Sequence, residues 1–222
     1  MTKDLWTAVD KYICDQLVHS DSLLEEVLDV SSAAGLPPIA VTPNLGKLLY
    51  LFARIQGAKK ILEIGTLAGY STIWLARALP PGGRLISLEA DPKHAEIARN
   101  NIARAGLAEV VEIRLGSALE TLPKLAAEGL GPFDLIFVDA EKRDNPDYFA
   151  WSLKLSRPGS VLVFDNVVRD GAVIDPANTT PSVQGIRRFN ELVAAEPRVT
   201  ATAIQTVGSK GYDGFAIALV TG

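Results

Sequence analysis

The chain has 222 residues, with 22 Lys and Arg against 26 Asp and Glu, for a formal net charge of −4. That length is enough for one sizeable hydrophobic core. The acidic balance speaks against a nucleic-acid or anionic-membrane surface, because each needs a basic patch.

The first 55 residues show helical patterning and no strand, with Leu5, Val9, Ile13 and Leu17 at i+4 steps. Charges scattered through MTKDLWTAVDKYICDQ leave no apolar signal segment, and no apolar run approaches the roughly 20 residues of a membrane span. Cys14 is the single cysteine, which excludes an internal disulfide and suits a reducing compartment. Beside Ile13 it reads as a buried, inert thiol, and the protein is expected to be cytoplasmic. SSAAGLPP (31–38) reads as a loop within one domain. Strands are predicted at KKILEI (59–64), RLISLE (84–89), VVEIRL (110–115), FDLIFVD (133–139) and SVLVFD (160–165). Several lack clean alternation, as in strands buried on both faces.

Helices are predicted between these strands. One begins near Tyr70. Another is opened by Asp91 and Pro92 and closed by Gly106, and others cover 117–128, 145–156 and 182–195. VTATAIQTV (199–207) and DGFAIALV (213–220) read as a hairpin with a rather long Gly-rich connection. The sum is an α/β, Rossmann-like, mostly parallel seven-stranded sheet with helices on both faces and a C-terminal antiparallel hairpin. A single domain over 1–222 is expected, with a helical segment (1–55) and a sheet core (56–222).

ILEIGTLAGYS (61–71) ends the first strand with an acid, Glu63, and two glycines, Gly65 and Gly69. In an open α/β sheet, ligands bind beyond the carboxyl ends of the strands, and bare backbone allows close approach. Glu63 would repel a phosphate and suits a cation such as an amino-acid ammonium. The spacing lacks the second glycine of G-x-G-x-x-G, which weakens a dinucleotide reading. Glu89, at the end of the second strand, stands where a ribose-hydroxyl acceptor is found. A turn glycine or a surface acid would explain either feature alone. Together they fit a ligand with an amino-acid end and a ribose, as in S-adenosylmethionine.

FVDAEK and FDN end the fourth and fifth strands, so Asp139, Asp165 and Asn166 are expected to converge, with Lys142 three residues beyond Asp139. Loop capping would explain each Asp alone. Two buried like charges favour a cation between them. Oxygen ligands suit Mg²⁺ first, with Ca²⁺ or Mn²⁺ as alternatives, rather than zinc.

LEIGTLAGYS (62–71), SLEAD (87–91), FDLIFVDAEK (133–142) and LVFDNV (162–167) resemble the metal-dependent, S-adenosylmethionine-using O-methyltransferases of the catechol and caffeoyl-CoA type, from about Pro43 to the end of the chain. The resemblance implies a class I methyltransferase fold. It implies that Glu63 holds the methionine end of the cofactor with Gly65 and Ser71 close to it, that Gly69 is a further cofactor-binding residue, and that Glu89 takes the ribose while Ser117 and Ala118 lie by the adenine. Val41, Thr42 and Asp139 would lie against the same molecule. Asp139, Asp165 and Asn166 would ligate a divalent metal, and Lys142 would act as general base on a catechol-like or hydroxycinnamoyl hydroxyl, with Asp139 beside it in the catalytic pair. A homodimer is implied as well. Where the family often has Leu-Trp after DNV, this chain reads VVRDGAV (167–173), and Asn145 replaces a family tyrosine while Tyr148 matches a second.

The rival readings are an NAD(P)-dependent oxidoreductase, a non-catalytic nucleoside-binding protein, and a methyltransferase acting on RNA or protein. His19 and His94 read as surface residues. Trp6, Trp74 and Trp151 read as packing residues, although Trp151 and Tyr148 could wall an aromatic substrate.

Overall fold

The five apolar runs between residues 59 and 165 form the parallel part of one sheet in the computed structural model, which describes residues 2–18 and 21–222. The strands are β1 (Lys60–Ile64), β2 (Arg84–Glu89), β3 (Val111–Leu115), β4 (Leu135–Val138), β5 (Val161–Asp165), β6 (Val199–Gly208) and β7 (Gly211–Val220). They lie in the order β3-β2-β1-β4-β5-β7-β6. β1 to β5 run parallel, and β7 pairs antiparallel with both β5 and β6. This is the fold class expected from the sequence.

Alternate strand residues face opposite layers. Ile61, Leu85, Leu135, Phe137 and Val163 pack into one core with α2 (Ser22–Ala33), α3 (Pro43–Gln56), α4 (Tyr70–Arg77) and α5 (Pro92–Arg104). Leu62, Ile64, Ile136, Val138 and Phe164 pack into the other with α6 (Ala118–Ala127), α7 (Asn145–Lys154) and α8 (Pro181–Ala195). α1 (Lys3–Ile13) has no buried residue. The strand order reverses between β1 and β4, and such a switch point opens a crevice at the strand carboxyl ends.

Four local expectations change. Ser31–Ala33 belong to the last turn of α2, so the 31–38 loop is shorter than its composition suggests. Residues 14–18 form a π-helical turn rather than continuing α1. The ladder continues through Gly208 and Gly211, leaving a two-residue hairpin loop, Ser209 and Lys210, in place of a long connection. Cys14 is partly exposed rather than buried, yet burial and the neighbouring Asp10 and Asp15 raise its pKa, which keeps the thiol form. His19 lies outside the described residues. Among those described, no helix is long and apolar enough to cross a membrane.

Candidate active site

Gly65 follows β1 with φ +101°, and a Cβ there would stand 2.3 Å from the Asp139 carbonyl oxygen. Only glycine lets the loops after β1 and β4 touch. That contact closes the floor of a cleft of about 740 Å³ at the switch point, lined by Gly65, Ser71, Glu89, Ser117, Ala118, Asp139 and Lys142 among others. A second cavity of about 240 Å³ adjoins it and is lined by Thr42, Asp165, Lys210, Asp213 and Phe215. Residues 39–41 and Asn166 line both, forming a shared wall.

Glu63 is fully buried and does not line the cleft. Its carboxylate accepts hydrogen bonds from the hydroxyls of Ser71 (2.6 Å), Thr72 and Ser87 (2.6 Å). Burial pushes its pKa up to about 7, against the lowering effect of those hydroxyls, and Asp139 raises it further. Its influence on a ligand therefore passes through Ser71, which does line the cleft. Gly69 also stands off the cleft, as the N-cap of α4 against Ala98 and Ile102.

Glu89 lies at the cleft wall, held by the backbone N–H groups of Leu67 (2.7 Å), Asp91 (2.9 Å) and Thr66 (3.3 Å). A carboxylate has about four acceptor sites, so these three leave capacity for a ligand hydroxyl. His94 Nδ1 stands 3.7 Å from Glu89 Oε1, and His94 lines the cleft instead of lying on the general surface. Ser117 and Ala118 open α6 at the same cleft. Thr42 caps α3 through Leu45 N and lines only the smaller cavity.

Lys142 is buried, and its Nζ donates to Asp139 Oδ1 at 2.6 Å. Burial raises the Asp165 pKa, and the charge of Asp139 raises it further. The charge of Asp139 thus reaches Asp165 across the two strand ends. Asn166 sits at φ +57°, donating its backbone N–H to Asp165 Oδ1 at 2.8 Å. Asp213 on β7 holds this turn by accepting from Val168 N and Arg169 N. Among the described residues no group of three or more His, Cys, Asp or Glu is arranged around a metal position. The buried Asp165 carboxylate, raised by burial and by the charge of Asp139, together with Asp139 and the adjoining Asn166 is nevertheless a hard-oxygen donor set, which fits a divalent cation. Tyr148 lines the cleft, and burial pushes its phenol up to about 12. Trp151 stays off the cleft, with Lys154 Nζ 4.3 Å above its ring.

Lys210, Arg169, His94 and Asp213 escaped the sequence reading. Their places depend on the hairpin folding back beside β5 and on the first turn of α5 pointing at Glu89. Only His94, three residues after the Asp91 cap, carried a local signal.

A family model described as O-methyltransferase matches residues 15–218. The chain is 54% identical over 220 residues, 99% of this chain and 100% of the relative, to the catechol O-methyltransferase of Niastella koreensis. An O-methyltransferase structure from Bacillus cereus in complex with SAH superposes at TM-score 0.98 with 61% identity, covering 99% of this chain and 100% of that chain. TomG from Streptomyces achromogenes, an O-methyltransferase involved in tomaymycin synthesis and solved with SAM, superposes at 0.97 with 53% identity over 100% of both chains.

Proposed function

The chain belongs to the O-methyltransferase family, and from that membership we propose that it moves a methyl group from S-adenosylmethionine to a hydroxyl of a small catechol-like or hydroxycinnamoyl arene. One observation carries the reading: the ligand-sized cleft at the switch point shares a wall with a second cavity, and the buried Lys142–Asp139 pair lies on the cleft side of it. The names and ligands of the relatives support it.

In this reading Glu89 takes the ribose hydroxyls, Ser117 and Ala118 border the adenine, and Ser71, oriented by Glu63, borders the methionine end with Gly65. Val41 and Asn166, which border both cavities, lie where donor and acceptor meet and hold them in line. Such positioning alone can supply up to roughly 7–11 kcal/mol of the barrier. Lys142 is the group that accepts the proton of the attacking hydroxyl. A divalent cation held by Asp139, Asp165 and Asn166, with Mg²⁺ the first candidate and Ca²⁺ or Mn²⁺ next, would orient two vicinal hydroxyls and ease proton loss. The protein would work as a cytoplasmic homodimer of one methyltransferase unit per chain, with neither nucleic acid nor membrane as partner.

The test is transfer of labelled methyl to a panel of catechols and hydroxycinnamates, with EDTA and with Mg²⁺ restored. Methylated arene that disappears with EDTA and returns with Mg²⁺ is expected. Full turnover in rigorously metal-free buffer defeats the metal role. Heat stabilisation by NAD but not by SAH defeats the methyl-donor site and favours the oxidoreductase.

A further inference from the structure

We propose that Lys210 makes this site selective for acceptors that carry an anionic ring substituent, taking a carboxylate of the methyl acceptor on its ammonium. The inference rests on the methyl-transfer reading for where the acceptor sits. Lys210 occupies the two-residue tip of the β6–β7 hairpin, and that tip bends onto the smaller cavity instead of projecting into solvent alone. The residue as a whole is exposed, yet its Nζ donates to Ala40 O and, at 3.4 Å, to Pro38 O. An ammonium has three donors, so at least one remains for a ligand. Partial burial lowers its pKa, against the raising effect of Asp139 and Asp165.

Among the described residues no carboxylate forms an ion pair with Lys210. The acids that share its cavity are committed elsewhere. Asp10 accepts from Ser209 N (2.8 Å) and Asn44 Nδ2 (3.1 Å). Asp213 accepts from Val168 N, Arg169 N and Gly214 N. Asp165 accepts from Asn166 N. The rest of the cavity includes Leu45, Leu48, Val207 and Phe215, walls suited to a ring. Arg169, exposed near the shared Asn166, adds a second cation lining the larger cleft, also without an ion-paired carboxylate among the described residues. An ammonium at the edge of such a cavity, with a donor to spare and no ion-paired carboxylate among the described residues, gains from a ligand that brings one.

The experiment compares 3,4-dihydroxybenzoate with its near-isosteric neutral partner, 3,4-dihydroxybenzamide, in the full chain with Mg²⁺ present. The ratio of kcat/KM for acid over amide is expected to exceed one by about tenfold or more in the unmutated protein. It should fall by about the same factor in Lys210→Met and be retained in Lys210→Arg. Taking a ratio cancels any loosening of the 38–40 segment, which would affect both acceptors. Calorimetric titration of the same two ligands into SAH-loaded protein gives the corresponding ratio of Kd values without turnover. If neither arene is methylated, the methyl-transfer reading fails while the binding ratio still decides the role of Lys210. An acid-to-amide ratio unchanged by Lys210→Met overturns the proposal and leaves Lys210 as a strap for the Ala40 carbonyl.

Discussion

Glu63 has its carboxylate wholly out of water, and the hydroxyls of Ser71, Thr72 and Ser87 return less than the hydration it lost, so burial lifts its pKa from an ordinary 4.5 to about 7. The sign follows directly. Below pH 4.5 the group is neutral in folded and unfolded chains alike, and its contribution is intact. Between 4.5 and about 7 the unfolded chain ionises first, and stability falls by about 1.4 kcal/mol per unit of the difference. Urea unfolding of the ligand-free protein should therefore show stability declining across that window, and Glu63→Gln should flatten the decline. An identical slope in the variant would refute the assignment. Lys142 makes a separate prediction. Lys142→Met should lower kcat by about 10²–10⁴-fold while SAH affinity stays within a few-fold, measured by single-turnover kinetics and calorimetry. Glu89, Asp139 and Asp165, which line the two cavities, were legible because each ends or follows a strand, where the fold rule points. Lys210 was not, since its role depends on a hairpin tip meeting residues 38–40, far away in the chain.

The element bearing Lys142 owes its place to a helix from another part of the chain. α8 runs so close to the 142–144 turn that a Cβ on Gly185 would lie 2.4 Å from Lys142 O and 2.5 Å from Arg143 Cα. Gly185→Ala must push helix and turn apart, at about 1–3 kcal/mol in stability, and move the Lys142 ammonium with them. The expected result is a kcat lowered about tenfold or more, by analogy with misplacement of a positioned group, with SAH affinity little changed. Unaltered kcat would mean that the turn tolerates the shift. In sequence Gly185 looks like a weak point in a helix and nothing more. The helices and strands themselves were largely readable, because caps such as Asp91–Pro92 and the apolar runs act locally. β4 is shorter than FDLIFVD suggests, since Asp134 uses its carboxylate to accept Lys59 N and Lys60 N, so it brackets the β1 entry and stands before the strand.

At the scale of the molecule, α1 buries nothing of its own and leaves Leu5, Tyr12 and nearby Leu17 exposed at 49%, 67% and 66%. Apolar side chains grouped this way suit a subunit contact. The proposed homodimer should sediment as two chains at micromolar concentration, and Tyr12→Glu should shift it toward one. A wild-type chain that sediments alone would remove the dimer from the proposal. The partition formed by residues 39–41 and Asn166 has a kinetic corollary. Because the smaller chamber borrows that partition from the larger, a molecule filling the larger one props the wall that shapes the arene's chamber. Turnover should then follow compulsory-order kinetics, with the nucleoside loading first and leaving last, and SAH should compete with the methyl donor but not with the arene.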